Sequence, residues 1–180
     1  MAVELTLLEK SLGLSKGNKY SIRGECQIPV LKTKNRLSLT GLTTITVKQA
    51  NKEYLLGSTR EEKAIVQQWL EYRVTQVDGH SNKDDIHILL KDLNSHLEDK
   101  VCFTEYKFTL ADILLYYGLH RFIADLKVQE KEKYLNVPRW FCDVQYYPGI
   151  RQYLSSVVFM KNRLFTSSYE EPSMLYGRVI

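Results

Sequence analysis

The chain has 180 residues, 44% of them hydrophobic and 26% charged, with a formal net charge of +4. That balance belongs to one globular domain or two small ones sharing an interface, and it excludes a disordered or fibrous chain. The longest apolar stretch, Leu110 to Leu119, is interrupted by Asp112 and is too short to span a bilayer. Glu4 and Glu9 sit where a signal peptide would be basic, so the expectation is a soluble intracellular protein.

Charge is unevenly spread. Residues 1–57 hold nine Lys/Arg against four Glu and no Asp, whereas the remainder holds sixteen against seventeen. The switch near Gly57 predicts two subdomains. Cys26, Cys102 and Cys142 are odd in number and lack a CxxC pair. They read as reduced, buried thiols and not as a disulfide framework or zinc site.

Leu5, Leu8 and Leu12 recur at helical spacing, and Gly13 stops that helix. Lys19–Ile22, Ile28–Thr33 and Leu37–Leu39 read as short strands, separated by turn signals at Gly24 and Asn35. Residues 42–50 follow as a helix, although Thr43-Thr44-Ile45-Thr46-Val47 is poor in helix propensity. Past Gly57 the pattern is helical throughout. Ser58/Glu61 and Thr59/Glu62 both fit a capping box. The helix they open, to about Val77, carries two apolar stripes about 100° apart: Ile65, Trp69 and Tyr72 in one, Val66, Leu70, Val74 and Val77 in the other. One stripe serves the core; the second needs more core or a partner.

Asp84 and Asp85 open the next helix, whose core face is Ile86, Leu89, Leu90, Leu93 and Leu97. Phe108-Thr109-Leu110-Ala111-Asp112-Ile113 is the most informative stretch. Thr109 reads as N-cap with Asp112 as the reciprocating N3 residue, and Phe108 with Ile113 forms a hydrophobic staple. The following helix, to about Ile123, is apolar on nearly every side and is predicted to be central. Val128–Leu135 and Val137–Tyr146 read as two more helices, the second capped by Asn136. Ile150–Leu154 reads as a last helical turn. Residues from 166 onward lack periodicity and read as a disordered tail.

A small α/β unit with a proline in one strand, followed by a helical domain with a Thr-x-x-Asp cap, resembles the glutathione S-transferase (GST) family. The predicted fold class is therefore an α/β N-terminal part plus an all-α C-terminal part. It comprises a truncated thioredoxin-like subdomain over 1–57, a GST C-terminal-like helical domain over 58–165, and the tail over 166–180. The resemblance implies a cis peptide before Pro29. The runs LLEKSLGLSKGNKYS, EEKAIVQQWLEYRVTQVDGHS and FTLADILLYYGLHRFI are similar to the GST-like adaptor subunits of the multi-aminoacyl-tRNA synthetase complex. That resemblance implies a non-catalytic scaffold supporting translation. It implies docking to the GST-like domains of methionyl-tRNA synthetase and glutamyl-prolyl-tRNA synthetase, with further subunits of the complex around them. The implied location is the cytoplasm, with the nucleus as a second candidate.

Transferases of the family use a Tyr, Ser or Cys after the first strand to stabilise the glutathione thiolate, because free thiols are mostly protonated near neutrality. Here the sequence opens on the Leu-rich helix, so that strand is expected to be absent. The family's Glu/Gln-Ser pair, which holds the γ-glutamyl end, falls on Thr40-Gly41, which lacks its carboxamide or carboxylate and its hydroxyl. The expectation is no catalytic residue, no cofactor and no metal. His87 and His96 fall on opposite faces of one predicted helix, and the glycines are too dispersed for a phosphate loop. Lys32, Lys34 and Arg36 alternate and would share one strand face. They fit weak phosphate binding by a tRNA accessory, or a lysine-protected sheet edge, and direct nucleic-acid binding is not the favoured reading.

The expected partner surfaces are two. Leu42, Val47, Val66 and Leu70 would form an apolar centre with Arg73 and Gln76 on its polar rim. Arg139 and Trp140 lie in Asn136-Val137-Pro138-Arg139-Trp140-Phe141, a run resembling one in synthetase GST-like domains. There the arginine stacks at a second, pseudo-two-fold interface, a task suited to a flat, weakly hydrated guanidinium.

Overall fold

The computed structural model describes residues 2–13, 19–23, 28–32, 38–49, 53–79, 83–131 and 133–159. Cys26, His80, the Lys34/Arg36 pair and the 166–180 tail lie outside them.

The N-terminal part begins with α1 (Ala2–Leu12), then β1 (Lys19–Arg23), β2 (Ile28–Lys32) and β3 (Ser38–Thr40) in an antiparallel sheet of order β1-β2-β3. Tyr20 faces Leu31 and Ile22 faces Pro29 on one side, and Leu31 faces Leu39 on the other. Among the described residues no peptide bond is cis, which corrects the expectation at Pro29. The proline, lacking an N–H, is accommodated where β3 ends: the β2–β3 register stops at Val30, and Pro29 contributes only its carbonyl, to the Gly41 N–H at 3.0 Å.

Helix α2 (Leu42–Gln49) forms against its own propensity. Ile45 and Thr46 are fully buried, and the Thr46 hydroxyl donates to the Leu42 and Thr43 carbonyls at 2.9 and 3.0 Å. Tertiary burial and this internal hydrogen bonding outweigh the β-branched penalty. Leu5, Leu31, Leu42 and Ile45 make a small core between α1, β2 and α2. Leu7, Leu8 and Leu12 of the same α1 join the main core of the helical part, so α1 packs on both sides of the chain's charge boundary.

A one-turn helix α3 (Glu53–Leu56) leads to Gly57, whose φ of +95° suits only glycine. A Cβ there would lie 2.7 Å from Glu62 Cβ. Helix α4 (Arg60–Tyr72) starts with the predicted capping box: Glu62 N–H donates to Thr59 Oγ1 at 3.1 Å, and Glu62 Oε2 accepts from Thr59 N–H at 3.3 Å. The Lys107 ammonium and then the Ser58 N–H hold the Glu62 carboxyl below its usual range. From Arg73 to Val77 the helix widens to a π turn, closed by Asp78 N–H donating to the Arg73 carbonyl at 3.2 Å.

Then come α5 (Lys83–His96), α6 (Leu110–Asp125), the one-turn α7 (Val128–Lys131) and α8 (Asn136–Tyr146). Helix α6 packs against α1, α4 and α8 and is buried at every position from Leu110 to His120. Its predicted cap is present. Phe108 is half-buried and stacks on Tyr147 at 4.3 Å, while Ile113 is in the core.

Three predictions for the C-terminal stretch are corrected. The helix expected over 128–135 is a single turn, because the chain swings to bury Tyr134, whose hydroxyl reaches His87 Nδ1 at 2.9 Å. Asn136 is the first residue of α8 and not its cap. The cap comes from α5: Asn94 Oδ1 accepts from the Asn136 N–H at 2.8 Å. Residues 150–154 are turns without a helix.

Candidate functional site

Helix α4 carries two apolar stripes, and the structure assigns them oppositely to the sequence reading. Val66, Leu70 and Val77 are in the main core, together with Arg73. Spacings of four, three and four residues place all four on one face, so Arg73 was never a rim residue. Its Nε donates to the Leu114 carbonyl at 3.1 Å, and its Nη2 lies 2.9 Å from Glu4 Oε2 in α1. Its Nη1 lies 2.5 Å from Asp78 Oδ1. A guanidinium this deep is kept by opposite charges on two sides.

Leu42, Val66, Leu70, Arg73 and Trp140 are thus corrected as partner-binding residues, since none has surface to offer. Gln76 and Arg139 are exposed and Val47 is half-buried. Trp140 is instead part of the α6 cap. Its indole N–H donates to Asp112 Oδ1 at 2.9 Å, and the same oxygen accepts from the Phe103 N–H at 3.1 Å. Asp112 Oδ2 accepts from the Thr109 N–H at 3.0 Å and the Thr109 hydroxyl at 3.1 Å. Burial pushes the Asp112 carboxyl above its usual range, opposed by the hydrogen bonds from Trp140, Thr109 and Phe103.

The other stripe of α4 is the open one. Ile65, Gln68, Trp69 and Tyr72 form one wall of a groove of about 360 Å³, and His96, Lys100, Phe103 and Glu105 form the other. Its floor is aromatic: the Trp69 ring stands 4.6 Å from both His96 and Phe103 and 5.1 Å from Tyr72. Trp69, Tyr72 and Ile65 remain half-buried, and Tyr106 beyond the rim is 77% exposed. Burial, then the Asp92 charge, raises the Tyr72 hydroxyl above its usual range, so it stays a neutral donor. Large aromatic area with polar atoms at its edge is the composition of an interface centre.

Arg139 of α8 meets the start of the 97–105 segment. It points outward, as its helical position predicts, yet its guanidinium is engaged: Nη2 donates to the Leu97 carbonyl at 2.6 Å and the Lys100 carbonyl at 2.7 Å. The sequence offered no signal for that pairing, which spans about forty residues.

Other chemistry-bearing groups are structurally committed. His87 meets Tyr134, His120 lies 2.9 Å from the Ser155 carbonyl, and burial pushes the Cys102 thiol up to about 12. At the position corresponding to the γ-glutamyl site, Gly41 has φ +92° and gives its N–H to Pro29.

Human eukaryotic translation elongation factor 1 epsilon-1 is 81% identical to this chain over 171 residues, covering 93% of this chain and 98% of its own length. The chain belongs to the eukaryotic translation elongation factor 1 epsilon-1 family. The Mus musculus member is 71% identical with the same coverage. No protein-family profile matches the chain. Among solved structures, a glutathione S-transferase from Pichia kudriavzevii aligns with a TM-score of 0.65 at 17% identity, covering 79% of this chain and 84% of its own. A class Gtt2 glutathione S-transferase of Vibrio parahaemolyticus gives 0.62 at 16% identity, covering 84% and 91%. The fold is GST-like, as the capped central helix predicted, and the family places the chain among translation-related GST-like proteins.

Proposed function

We propose that this chain is a non-catalytic scaffold of the multi-aminoacyl-tRNA synthetase complex, bridging methionyl-tRNA synthetase and glutamyl-prolyl-tRNA synthetase through GST-like contacts. The observation that carries it is the half-buried aromatic face of Trp69 and Tyr72, which packs on the main core along one edge and lines the open groove with the other. That groove takes the methionyl enzyme, and the outward edge of α8 at Arg139 takes the glutamyl-prolyl enzyme. Both faces lie on the helical part, and both contact the 97–105 segment. Further synthetase subunits assemble around this bridge. The cytoplasm is the working location, with the nucleus second.

A glutathione-dependent transferase is the competing reading, favoured by the fold of the solved neighbours alone. Against it, Gly41 brings no hydroxyl to a γ-glutamyl carboxylate, and its N–H is already given to Pro29. Cys102 does not substitute: burial holds its thiol protonated far above neutrality. We expect no retention of the protein on immobilised glutathione and no conjugation of an aryl halide at millimolar glutathione. The tagged protein should retain both synthetases from cytosol. Specific elution from the resin by free glutathione, or loss of both synthetases, would overturn the scaffold reading.

A further inference from the structure

The groove's far wall is an irregular segment that needs fixing from outside. Helix α5 ends without a glycine: Leu97, Glu98, Asp99 and Lys100 follow His96, so its last carbonyls need partners from elsewhere. Beyond it, residues 101–107 form a tight turn. Val101 and Cys102 N–H groups both donate to the Glu105 carbonyl at 3.1 and 2.9 Å, and Glu105 takes a left-handed φ of 78°. A non-glycine residue in that region is strained, and this one lines the groove.

Besides the Lys107–Glu62 ion pair at the segment's exit, which joins it to α4, the wall is tied down at two points. At its far end Asp112 of α6 holds the Phe103 N–H, and His96 Nε2 lies 3.3 Å from the Phe103 carbonyl. At its near end the only side chain reaching the Leu97 and Lys100 carbonyls, among the described residues, is Arg139 of α8. A cation there completes a helix C-terminus, and its charge suits the negative end of the helix dipole. Asn94 and Asn136 clamp α5 to α8 one turn earlier, so α8 is a firm base for the arginine.

We propose that Arg139 is a positioning residue for the aromatic groove: anchored on α8, it holds the 97–105 wall at its working distance from Trp69 and Tyr72. This rests on the reading that the groove is a docking site, and it adds that occupation of the Arg139 face and of the groove are energetically coupled. By linkage the coupling is reciprocal. A partner that draws the guanidinium off the Leu97 and Lys100 carbonyls frees the wall. One that leaves those bonds in place keeps the groove formed.

The test needs no partner. In Arg139→Ala, hydrogen exchange at the Val101, Cys102 and Glu105 amides should accelerate about tenfold, the loss expected for charge-assisted bonds to a turn. Exchange at Leu115 and Leu119 in α6 should stay within about twofold of wild type. Acrylamide quenching should rise as well. It reads Trp69 alone, because the other tryptophan, Trp140, is fully buried. Arg139→Lys, which keeps a donor and the charge, should recover part of both effects. Unchanged exchange and quenching at the wall would overturn the proposal. So would uniform acceleration through α6, which would mean a general stability role. Either failure leaves the docking reading standing, since no partner enters the measurement.

Discussion

Gly118→Ala destabilises this protein, in the direction opposite to helix propensity. In an exposed helix interior the substitution would gain about 1 kcal/mol. In α6, however, the Gly118 position lies beneath the guanidinium of Arg73, and a Cβ there would overlap Arg73 Nε and Cζ and come within 2.6 Å of Nη2. A long side chain usually swings away from such a clash. Arg73 has nowhere to go: it is 1% exposed and held by the Leu114 carbonyl, Glu4 and Asp78. Moving it strips charges from a buried cluster joining α1, α4 and α6, so we expect a loss of about 3 kcal/mol or more in urea unfolding. A neutral or stabilising result would mean that the arginine is not packed on the glycine.

Asp112→Ala should be nearly as severe, and more so than Thr109→Ala. A capping box alone predicts similar, non-additive losses of about 1–2 kcal/mol for the two residues. The structure separates them. Thr109 serves the helix start, whereas Asp112 also accepts from the Phe103 amide and the Trp140 indole. Truncating it orphans three buried N–H donors at once, which sets the expected cost at about 3–5 kcal/mol. Asp112→Asn keeps one carbonyl acceptor but turns an amide toward the Thr109 N–H, and should fall between the two. The double variant should lose less than the sum, because both residues share the Thr109–Asp112 bonds. Equal single losses, or strict additivity in a denaturation cycle, would contradict this reading of the box.

These two sites mark where sequence was and was not enough. The α6 start was legible because caps and staples are local chemistry within six residues, and the same holds for Gly57 and the Thr59–Glu62 box. Residues that act across the fold were not legible. Arg73 reads as a rim residue by its charge, although its spacing from Val66, Leu70 and Val77 puts it on the core face. Its partners Glu4 and Leu114 are sixty-nine and forty-one residues away. Trp140 reads as a contact residue only through the resemblance of the Asn136–Phe141 run; its indole partner Asp112 lies in another helix. The two stripes of α4 were visible, but their assignment depended on which neighbour supplied aromatic surface. His96 and Phe103 did, so the Trp69 side became the groove. Helix α7 fell short for the same reason: burial of Tyr134 outweighed the local helical pattern.

The central claim is that the Trp69 groove docks a synthetase, and calorimetric titration with the GST-like domain of methionyl-tRNA synthetase tests it most directly. Trp69→Ala should weaken that binding about thirtyfold or more, the loss expected of an aromatic hot spot at an interface centre. Gln68→Lys, an exposed change on the same rim, should weaken it while leaving the melting temperature unchanged. Wild-type affinity in both variants, each folded, would contradict the account.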